Sequence, residues 1–393
     1  MFIGCSSNGF YPQLGVSAAL TEIGALGFTH AEVMLYHQRQ YAPEAIRAYG
    51  RAAQAAGVEV VAIHLEPDMH MPFDPEPAVV ADAWRNFDVA IEGALQIGAE
   101  TIVWQGPIRV EYPVESGMEP LLEVVFELDR RCREAGVRLA IENSEPGVLS
   151  TLRDIIEIGP RLPETVGYAF DPHHAAASQT NPMLLLRQMR GRLIDVHLRD
   201  FDEEGKRPGN LLPGDGTLPW SAILRAVRGA GFDGPLMLES VLQPDPARSV
   251  AKARALLDPL IALVDAGPAD CASEPPPGVL EGIRLFNEGL YYECHEEIEH
   301  EWHAETGEIR NLYQGILQIG VGFHHASNGN LRGARLLLTD GLDKLGRFLP
   351  ACLGIDTQAL WDASAKLLTD IEQRLIAKSS MPLVLVFPTI QLT

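Results

Sequence analysis

Acidic and imidazole side chains recur at the ends of short apolar stretches in the first 265 residues of this chain. Four of them form a donor set of three carboxylates and one imidazole: Glu142, Asp171, His197 and Glu239. Such a set suits one divalent cation, such as Mn²⁺, Mg²⁺, Co²⁺ or Zn²⁺. Binding a cation would also relieve the mutual repulsion of the carboxylates. These residues are therefore the candidate metal ligands.

Eight short β-rich runs alternate with segments of helical periodicity in the same part of the chain. The runs are Phe2–Ser7, His30–Leu35, Val58–Leu65, Thr101–Gly106, Arg138–Asn143, Val166–Pro172, Leu193–Asp200 and Pro235–Ser240. Several intervening helices are predicted to end at a glycine, the residue that best adopts the left-handed C′ conformation. These glycines are Gly27, Gly57, Gly98, Gly136 and Gly231. Eight strand–helix units in about 265 residues predict a (β/α)8 TIM barrel. A doubly wound open sheet is the alternative, but no G-x-G-x-x-G follows the first run.

Parallel strands in a barrel all end at one face, so the four candidate ligands can meet there. Taken singly, each is more often a capping, salt-bridged or hydrogen-bonded structural residue, but four on consecutive strands argue for a site. Further polar residues stand at the same strand ends and are candidates for binding a substrate. They are Glu32, His64, Gln105 and His174.

The chain beyond residue 265 has a different character. Residues 266–278 combine small residues and prolines without periodicity, which predicts an interdomain linker. Residues 279–378 predict a small all-α helical bundle. Its helices are predicted at Val279–His303, Ile309–Ser327, Leu331–Leu349 and Thr357–Ala377. The tail 379–393 is apolar, and the pattern does not place it.

Composition narrows the class of protein. A chain of 393 residues favours two domains, and its net charge of −22 disfavours a nucleic-acid or anionic membrane partner. No stretch has the length of a membrane span, and the N-terminus lacks the features of a signal peptide. Five scattered cysteines without a C-x-x-C pair predict reduced thiols in a cytoplasmic protein rather than a disulfide framework. A homo-oligomeric state is left open.

The series I-E-N, F-D-P-H-H, V-H-L-R-D, P-G-D-G and L-E-S resembles the xylose isomerase-like barrel superfamily, especially its sugar phosphate isomerase/epimerase group. The resemblance covers about residues 1–265. It implies that Glu142, Asp171, His197 and Glu239 ligate one divalent cation and that His174 and His64 bind substrate. It also implies proton transfer through an enediolate of a carbohydrate substrate, with Glu142 and Glu239 exchanging the carbon-bound proton.

Three other functions stand beside a sugar or sugar phosphate isomerase/epimerase. The barrel could bind metal or ligand without turnover, or act as a dehydratase or isomerase of polyol (inositol-type) substrates. An endonuclease IV-type hydrolase is disfavoured, because Gln105 stands where a zinc-binding His is expected and Gly209–Pro213 contains neither His nor Asp. Glu203 stands where some epimerases carry a substrate-binding Arg, which disfavours a ketohexose epimerase. Substrate identity is expected to depend on the loops Glu66–Pro75 and Pro107–Met118.

The helical region carries a second group of polar residues. The stretch FNEGLYYECHEEIEHEW at 286–302, followed by R-N-L-Y-Q-G, resembles a small helical family of unknown function. On a helix, His295 and Glu299 share a face. The single E-x-x-H spacing at Glu297 falls short of the two that di-iron bundles need. A ligand pocket, or a polar network of Arg310 with a carboxylate, is therefore favoured over a metal site. The candidate pocket residues are His295, Glu296, Glu299, Arg310, Tyr313, Gln314 and His324.

Overall fold

The computed structural model describes residues 1–65, 72–110, 112, 117–202, 211–240, 242, 244–266, 271–377, 386 and 388–392. The chain divides into two compact units. The barrel unit contains Met1–Ile223 and Ala230–Ile261, and the helical unit contains Leu224–Gly229 and Ala262–Thr393. Several sequence predictions lie outside the described residues, wholly or in part. They concern Glu203, Gly209–Pro213, the loops Glu66–Pro75 and Pro107–Met118, the linker and the tail.

Eight parallel strands close into a barrel in sequence order, with β1 hydrogen-bonded to both β2 and β8. The strands are β1 Phe2–Ser6, β2 His30–Leu35, β3 Glu59–Leu65, β4 Thr101–Trp104, β5 Arg138–Glu142, β6 Gly167–Phe170, β7 Leu193–Leu198 and β8 Pro235–Leu238. Each strand falls within a predicted run, so the predicted (β/α)8 barrel is confirmed and the open sheet is excluded.

Helices follow the strands and complete the strand–helix units. They are α1 Val16–Ala25, α2 Pro43–Ala56, α3 Pro77–Ile97, α4 Glu119–Ala135, α5 Leu152–Ile158, α6 Pro172–Ala177, α7 Pro182–Gln188, α8 Trp220–Gly229 and α9 Pro246–Ala266. Proline stands in the first turn of α2, α3, α4, α6 and α7, where its missing N–H has no partner to lose. All five glycines predicted to end helices have positive φ.

The barrel interior is filled by side chains that alternate along each strand. A layer of small residues from four neighbouring strands is completely buried there: Ala62, Val103, Ala140 and Ala169. In β7 the same alternation makes Asp195 and His197 buried polar residues, and Arg199 continues the period just past the end of the strand. The polar residues of the site are therefore carried by the same strand faces as the apolar interior.

The described residues of the helical unit form five further α-helices around their own apolar core. They are α10 Pro277–Asn287, α11 Tyr291–Ala304, α12 Ile309–Ser327, α13 Leu331–Leu345 and α14 Thr357–Ala377. The prediction of one helix over Val279–His303 is wrong, because α10 stops before Gly289. That glycine has φ +77°, and its N–H donates to the carbonyl of Phe286 (3.0 Å), which closes the helix end.

The prediction of five reduced thiols is also wrong. Cys271 and Cys352 form a disulfide in the helical unit, although 81 positions separate them in sequence. The fold brings their Cα atoms to 4.3 Å, a proximity that cysteine spacing alone could not show. The other cysteines (Cys5, Cys132 and Cys294) are buried and free. Within the described part of the chain, no helix combines the length and hydropathy that crossing a bilayer requires.

Candidate metal centre and active site

The carboxyl ends of β5 to β8 bring the four candidate ligands together. Glu142 is the last residue of β5, His197 lies in β7, and Asp171 and Glu239 directly follow β6 and β8. Each offers one ligand atom, and these atoms all lie within 4.8 Å of one another. None of the four residues is more than 2% exposed. The structure thus places the predicted set in one buried cluster.

The His197 imidazole is oriented by carboxylates on both sides. Its Nδ1 faces the cluster, 2.6 Å from Glu142 Oε1 and 3.1 Å from Glu239 Oε2. Its Nε2 points away and lies 3.1 Å from Glu32 Oε2. The Ser6 hydroxyl donates to the other oxygen of Glu32 (2.9 Å). Glu32 therefore lies behind the imidazole, in the place of the carboxylate that commonly fixes a metal-binding histidine.

His64 packs beside His197, with the two rings stacked at a centroid distance of 5.2 Å. Its Nδ1 is 3.5 Å from Glu32 and its Nε2 is 3.3 Å from Glu142. His64 is fully buried, and neither ring nitrogen has a well-aligned hydrogen bond within the described residues. The imidazole thus bridges two carboxylates mainly through charge.

Charge pairing fixes the ionisation of this group. Burial by itself would raise the pKa of Glu142, but His197 and His64 outweigh it and hold that pKa well below its usual range. Burial favours the neutral form of His197, but Glu32, Glu239 and Glu142 raise its pKa well above the ordinary value. Against the same opposing effect of burial, Glu32 and Glu142 raise the pKa of His64 to about 10. Without a cation, the cluster therefore holds protonated imidazoles against ionised carboxylates at neutral pH.

Arg199, which sequence reasoning missed, adds a permanent positive charge. It is 7% exposed, and its Nε donates to Asp171 Oδ2 (2.8 Å) and lies 3.6 Å from Glu239 Oε2. Although burial opposes ionisation, this guanidinium contributes to the lowered pKa values of both carboxyls. The signal was present in V-H-L-R-D, because a residue two positions after His197 shares its strand face.

Asn8 is a second residue that sequence reasoning missed, since no ligand was sought after β1. Its amide donates to Glu239 Oε1 (2.8 Å), and the Tyr36 hydroxyl donates to its carbonyl oxygen. Asn8 therefore holds one oxygen of Glu239 and leaves the other oxygen directed at the cluster.

Asp171 serves both the cluster and the start of α6. Its Oδ1 accepts the backbone N–H groups of His173 (2.7 Å) and His174 (3.2 Å), while Oδ2 accepts from Arg199. The Asn143 side chain pairs with both the N–H and the C=O of Asp171 (2.9 and 2.8 Å). The carboxylate is thus held at the helix N-cap position by fixed backbone contacts.

The two neighbouring histidines differ in their surroundings. His174 is 9% exposed, and its Nδ1 accepts the N–H of Glu145 (3.1 Å). Burial and Arg199 lower the pKa of His174 to about 4, so its ring is neutral at neutral pH. The Nδ1 of His173 pairs with the Asp200 carbonyl (2.8 Å), and the cap of α6 is supplied by Asp171.

The chemistry of the donor set fits a divalent cation. Glu142 Oε2 and Glu239 Oε2 are buried oxygens without a hydrogen-bond partner among the described residues. An unsatisfied buried carboxylate oxygen is costly, and a cation in contact with both would remove that cost. Three carboxylates and one imidazole are common ligands of Mn²⁺, Mg²⁺, Co²⁺ and Zn²⁺.

Gln105, which the sequence predicted to bind substrate, directly follows β4 and is half-buried.

The second group of predicted residues is dispersed over the helical unit. Tyr313 is buried in the core, and Glu296 and His324 are exposed. Arg310 lies over the Trp302 ring, 4.2 Å from its centroid, rather than against a carboxylate. His295, Glu299 and Gln314 line one cavity. The groups of potential metal ligands found among the described residues both lie in the barrel unit.

Comparison with known protein families agrees with this architecture. Residues 20–260 match the family described as Xylose isomerase-like TIM barrel. The chain belongs to this family. Residues 279–337 of this xylose isomerase-like protein match a second family, Domain of unknown function (DUF309). The predicted fusion of a xylose isomerase-like barrel with a helical domain of unknown function is therefore confirmed.

Several curated proteins are similar in sequence to part of this chain. An inosose dehydratase from Lacticaseibacillus casei is 25% identical over 159 residues, which cover 36% of this chain and 53% of that relative. The rhizopine catabolism protein MocC from Rhizobium meliloti is 27% identical over 143 residues, covering 33% and 44%. The matched segments thus span only about half of these relatives. An uncharacterized protein from Methanocaldococcus jannaschii, MJ1311, is 24% identical, with 63% and 87% covered.

Solved structures share the barrel fold at low identity. A D-tagatose 3-epimerase-like protein superposes with a TM-score of 0.57 and 19% identity, covering 68% of this chain and 99% of that chain. The IOLI protein, solved with a bound zinc atom, gives a TM-score of 0.56 and 15% identity, covering 67% and 98%. At these identities the likeness shows the fold alone.

Proposed function

We propose that this protein is a divalent-metal-dependent isomerase or epimerase of a sugar or sugar phosphate. Glu142, Asp171, His197 and Glu239 would hold one cation, and the reaction would move a carbon-bound proton next to a carbonyl group. The observation that carries the proposal is the buried cluster itself, in which two carboxylate oxygens lack a hydrogen-bond partner among the described residues. Carbohydrate epimerases among the structures of the same fold support it.

The bound cation would act as a Lewis acid on substrate oxygens, which acidifies the neighbouring C–H bond. Glu142 and Glu239 are the candidate bases, because each keeps one oxygen free of hydrogen bonds within the described residues. Neutral His174 would hydrogen-bond a substrate oxygen. Glu32 has a different proposed role from the predicted one: it is fully buried behind His197 and would orient that ligand rather than touch substrate.

A second candidate is a dehydratase of polyol-derived ketones. The observation that favours it is the sequence similarity to an inosose dehydratase, which is 25% identical over 159 residues. Both reactions begin with removal of a proton beside a carbonyl, so the same two glutamates would serve either. They differ in the product, since only the dehydratase loses water.

Deuterium exchange tests both candidates, because it reports proton removal from the substrate whichever product forms. The protein is treated with chelator, reloaded with Mn²⁺, Mg²⁺, Co²⁺ or Zn²⁺, and incubated in D₂O with ketoses, ketose phosphates and inososes. NMR and mass spectrometry then detect deuterium at carbon for an isomerase or epimerase, and loss of water for a dehydratase.

Glu142→Gln should abolish deuterium incorporation. Asp129→Asn is the matched control, because Asp129 is also a buried carboxylate of the barrel unit (2% exposed) but lies on α4. There it pairs with Arg133 of the same helix and with Thr165 in the turn before β6. Metal binding without exchange on any substrate would support the binding-only function instead. A protein that binds no divalent ion would refute the proposal. The proposal includes a small-molecule carbohydrate partner. The expected cytoplasmic location rested on reduced thiols, and the Cys271–Cys352 disulfide removes that argument for it.

A further inference from the structure

The helical unit contains a cavity of about 280 Å³ between α11, α12 and α13. On α11 and on α12, the lining residues recur every three or four positions, so they share one face of each helix. They are His295, Glu299 and Trp302 on α11, Gln314, Leu317, Gln318 and Val321 on α12, and Leu337 on α13. With roughly 30 Å³ for one water molecule, the cavity has the volume of about nine waters, or a ligand of about ten non-hydrogen atoms.

Two residues that line this cavity each carry a buried polar atom without a partner among the described residues. The indole Nε1–H of Trp302 and the amide Oε1 of Gln318 are both shielded from solvent, and neither has a hydrogen-bond partner among the described residues. Leaving such groups unpaired is unfavourable in a folded protein. One is a donor and the other an acceptor, so a ligand with both functions could satisfy both once the two side chains turn these atoms into the cavity.

The charge around the cavity favours a cation. Glu299 places a carboxylate in the wall with 41% of its side chain exposed, and its two oxygens lie 3.8 Å from the imidazoles of His295 and His303. None of the described lining residues is Lys or Arg. Helix α11 carries five glutamates and neither Lys nor Arg. Leu317, Val321 and Leu337 supply the apolar part of the lining. Arg310 covers one face of Trp302 and fixes the position of its ring.

We propose that this cavity binds a small organic ammonium ion with an apolar body and one hydroxyl or carbonyl oxygen. The ammonium group donates to Glu299 and to Gln318 Oε1, and the ligand oxygen accepts the Trp302 N–H. The apolar body packs against the leucine and valine side chains. This site is separate from the barrel cluster and does not depend on the function proposed for it.

Binding is tested on the full chain with tyramine and three analogues. Phenethylamine lacks the hydroxyl of tyramine, para-ethylphenol lacks the ammonium group, and para-hydroxyphenylacetate has a carboxylate in place of the ammonium group. The chain has five tryptophans, so labelling the indole nitrogens gives five N–H signals, and the signal missing in Trp302→Phe identifies Trp302. Tyramine should shift that signal saturably and bind most tightly. Each single-group analogue should bind at least about threefold more weakly, and the carboxylate should not bind.

Glu299→Gln should weaken tyramine binding about tenfold or more, because it removes the charged partner of the ammonium group. Trp302→Phe should weaken binding about three- to tenfold, because it removes one hydrogen-bond donor. Binding to Trp302→Phe is measured by calorimetric titration, since this variant lacks the Trp302 signal. Glu296→Gln is the matched control, since Glu296 is an exposed carboxylate of the same helix outside the cavity lining, and it should leave binding unchanged. The proposal is overturned if no probe moves the Trp302 signal up to about 10 mM, where a millimolar complex would be well populated. It is also overturned if the carboxylate binds as well as tyramine, or if Glu299→Gln binds like the control.

Discussion

Cation binding to the barrel cluster should release about one proton per metal ion at neutral pH. In the metal-free protein the pKa of His197 is raised above its ordinary value by Glu32, Glu239 and Glu142, so the imidazole is protonated at pH 7. A metal ligand must be the neutral imidazole, and the cation therefore competes with that proton. The carboxyl pKa values of Glu142, Asp171 and Glu239 are all lowered, so these ligands have no proton to lose.

The magnitude follows from this competition. While His197 stays protonated in the free state, the affinity for the cation should rise about tenfold for each unit of pH, or roughly 100-fold from pH 6 to pH 8. That change corresponds to about 2.7 kcal/mol of binding free energy. The pKa of His64 is raised to about 10, so this imidazole is also protonated at pH 7. It would release a second proton if the bound cation removed its attraction to Glu142, which makes two protons the upper limit.

Calorimetric titration of chelator-treated protein with MnCl₂ measures this proton directly. The apparent binding enthalpy is compared in phosphate and Tris buffers, whose different ionisation enthalpies give the number of protons released. His64→Gln should lower the number only if the second proton contributes, and Asp129→Asn should leave it unchanged. A proton number near zero, with an affinity independent of pH, would refute the charge assignment of the cluster.

Three further predictions follow from the same structure. Arg199→Met should raise cation affinity at least about tenfold, because a buried positive charge beside Asp171 is removed. The same change should destabilise the metal-free protein by about 3–5 kcal/mol. Thermal denaturation with and without cation measures both effects. Native protein should show no thiol reactive toward Ellman's reagent, since Cys5, Cys132 and Cys294 are buried and desolvation raises their pKa values. Denatured protein should show three reactive thiols. Protein that is both denatured and reduced should show five. Reducing the disulfide that closes 81 residues should destabilise the helical unit by up to about 4.5 kcal/mol, seen as a lower midpoint in urea.

Strand positions were predictable because the strands are short apolar runs, and several, such as β3, β4 and β5, follow a helix-ending glycine. The four candidate ligands could be named for the same reason, since the end of each strand is fixed within a residue or two. Arg199 and Asn8 were missed because neither is a carboxylate or a histidine, the residue types expected of metal ligands. Strand alternation in β7 places Arg199 at the cluster, and Asn8 lies there because it follows the end of β1.

Two errors had a different physical origin. Helical periodicity runs through Gly289 without interruption, so the break between α10 and α11 depends on a single residue with positive φ. The pairing of Cys271 with Cys352 depends on how the helical unit folds back on itself, which no local pattern records. The burial of Glu32 behind His197 likewise depends on two strands separated by 165 positions.

The two oxygens of Asp171 connect the cluster with a helix. One oxygen faces Arg199, and the other holds the N–H groups of His173 and His174 at the start of α6. Any event that changes the charge or position of this carboxylate must therefore alter how firmly those two amide hydrogens are held. The rate of hydrogen–deuterium exchange at these two amides therefore reports on the charge and position of Asp171 in the barrel cluster. It can be measured without a substrate.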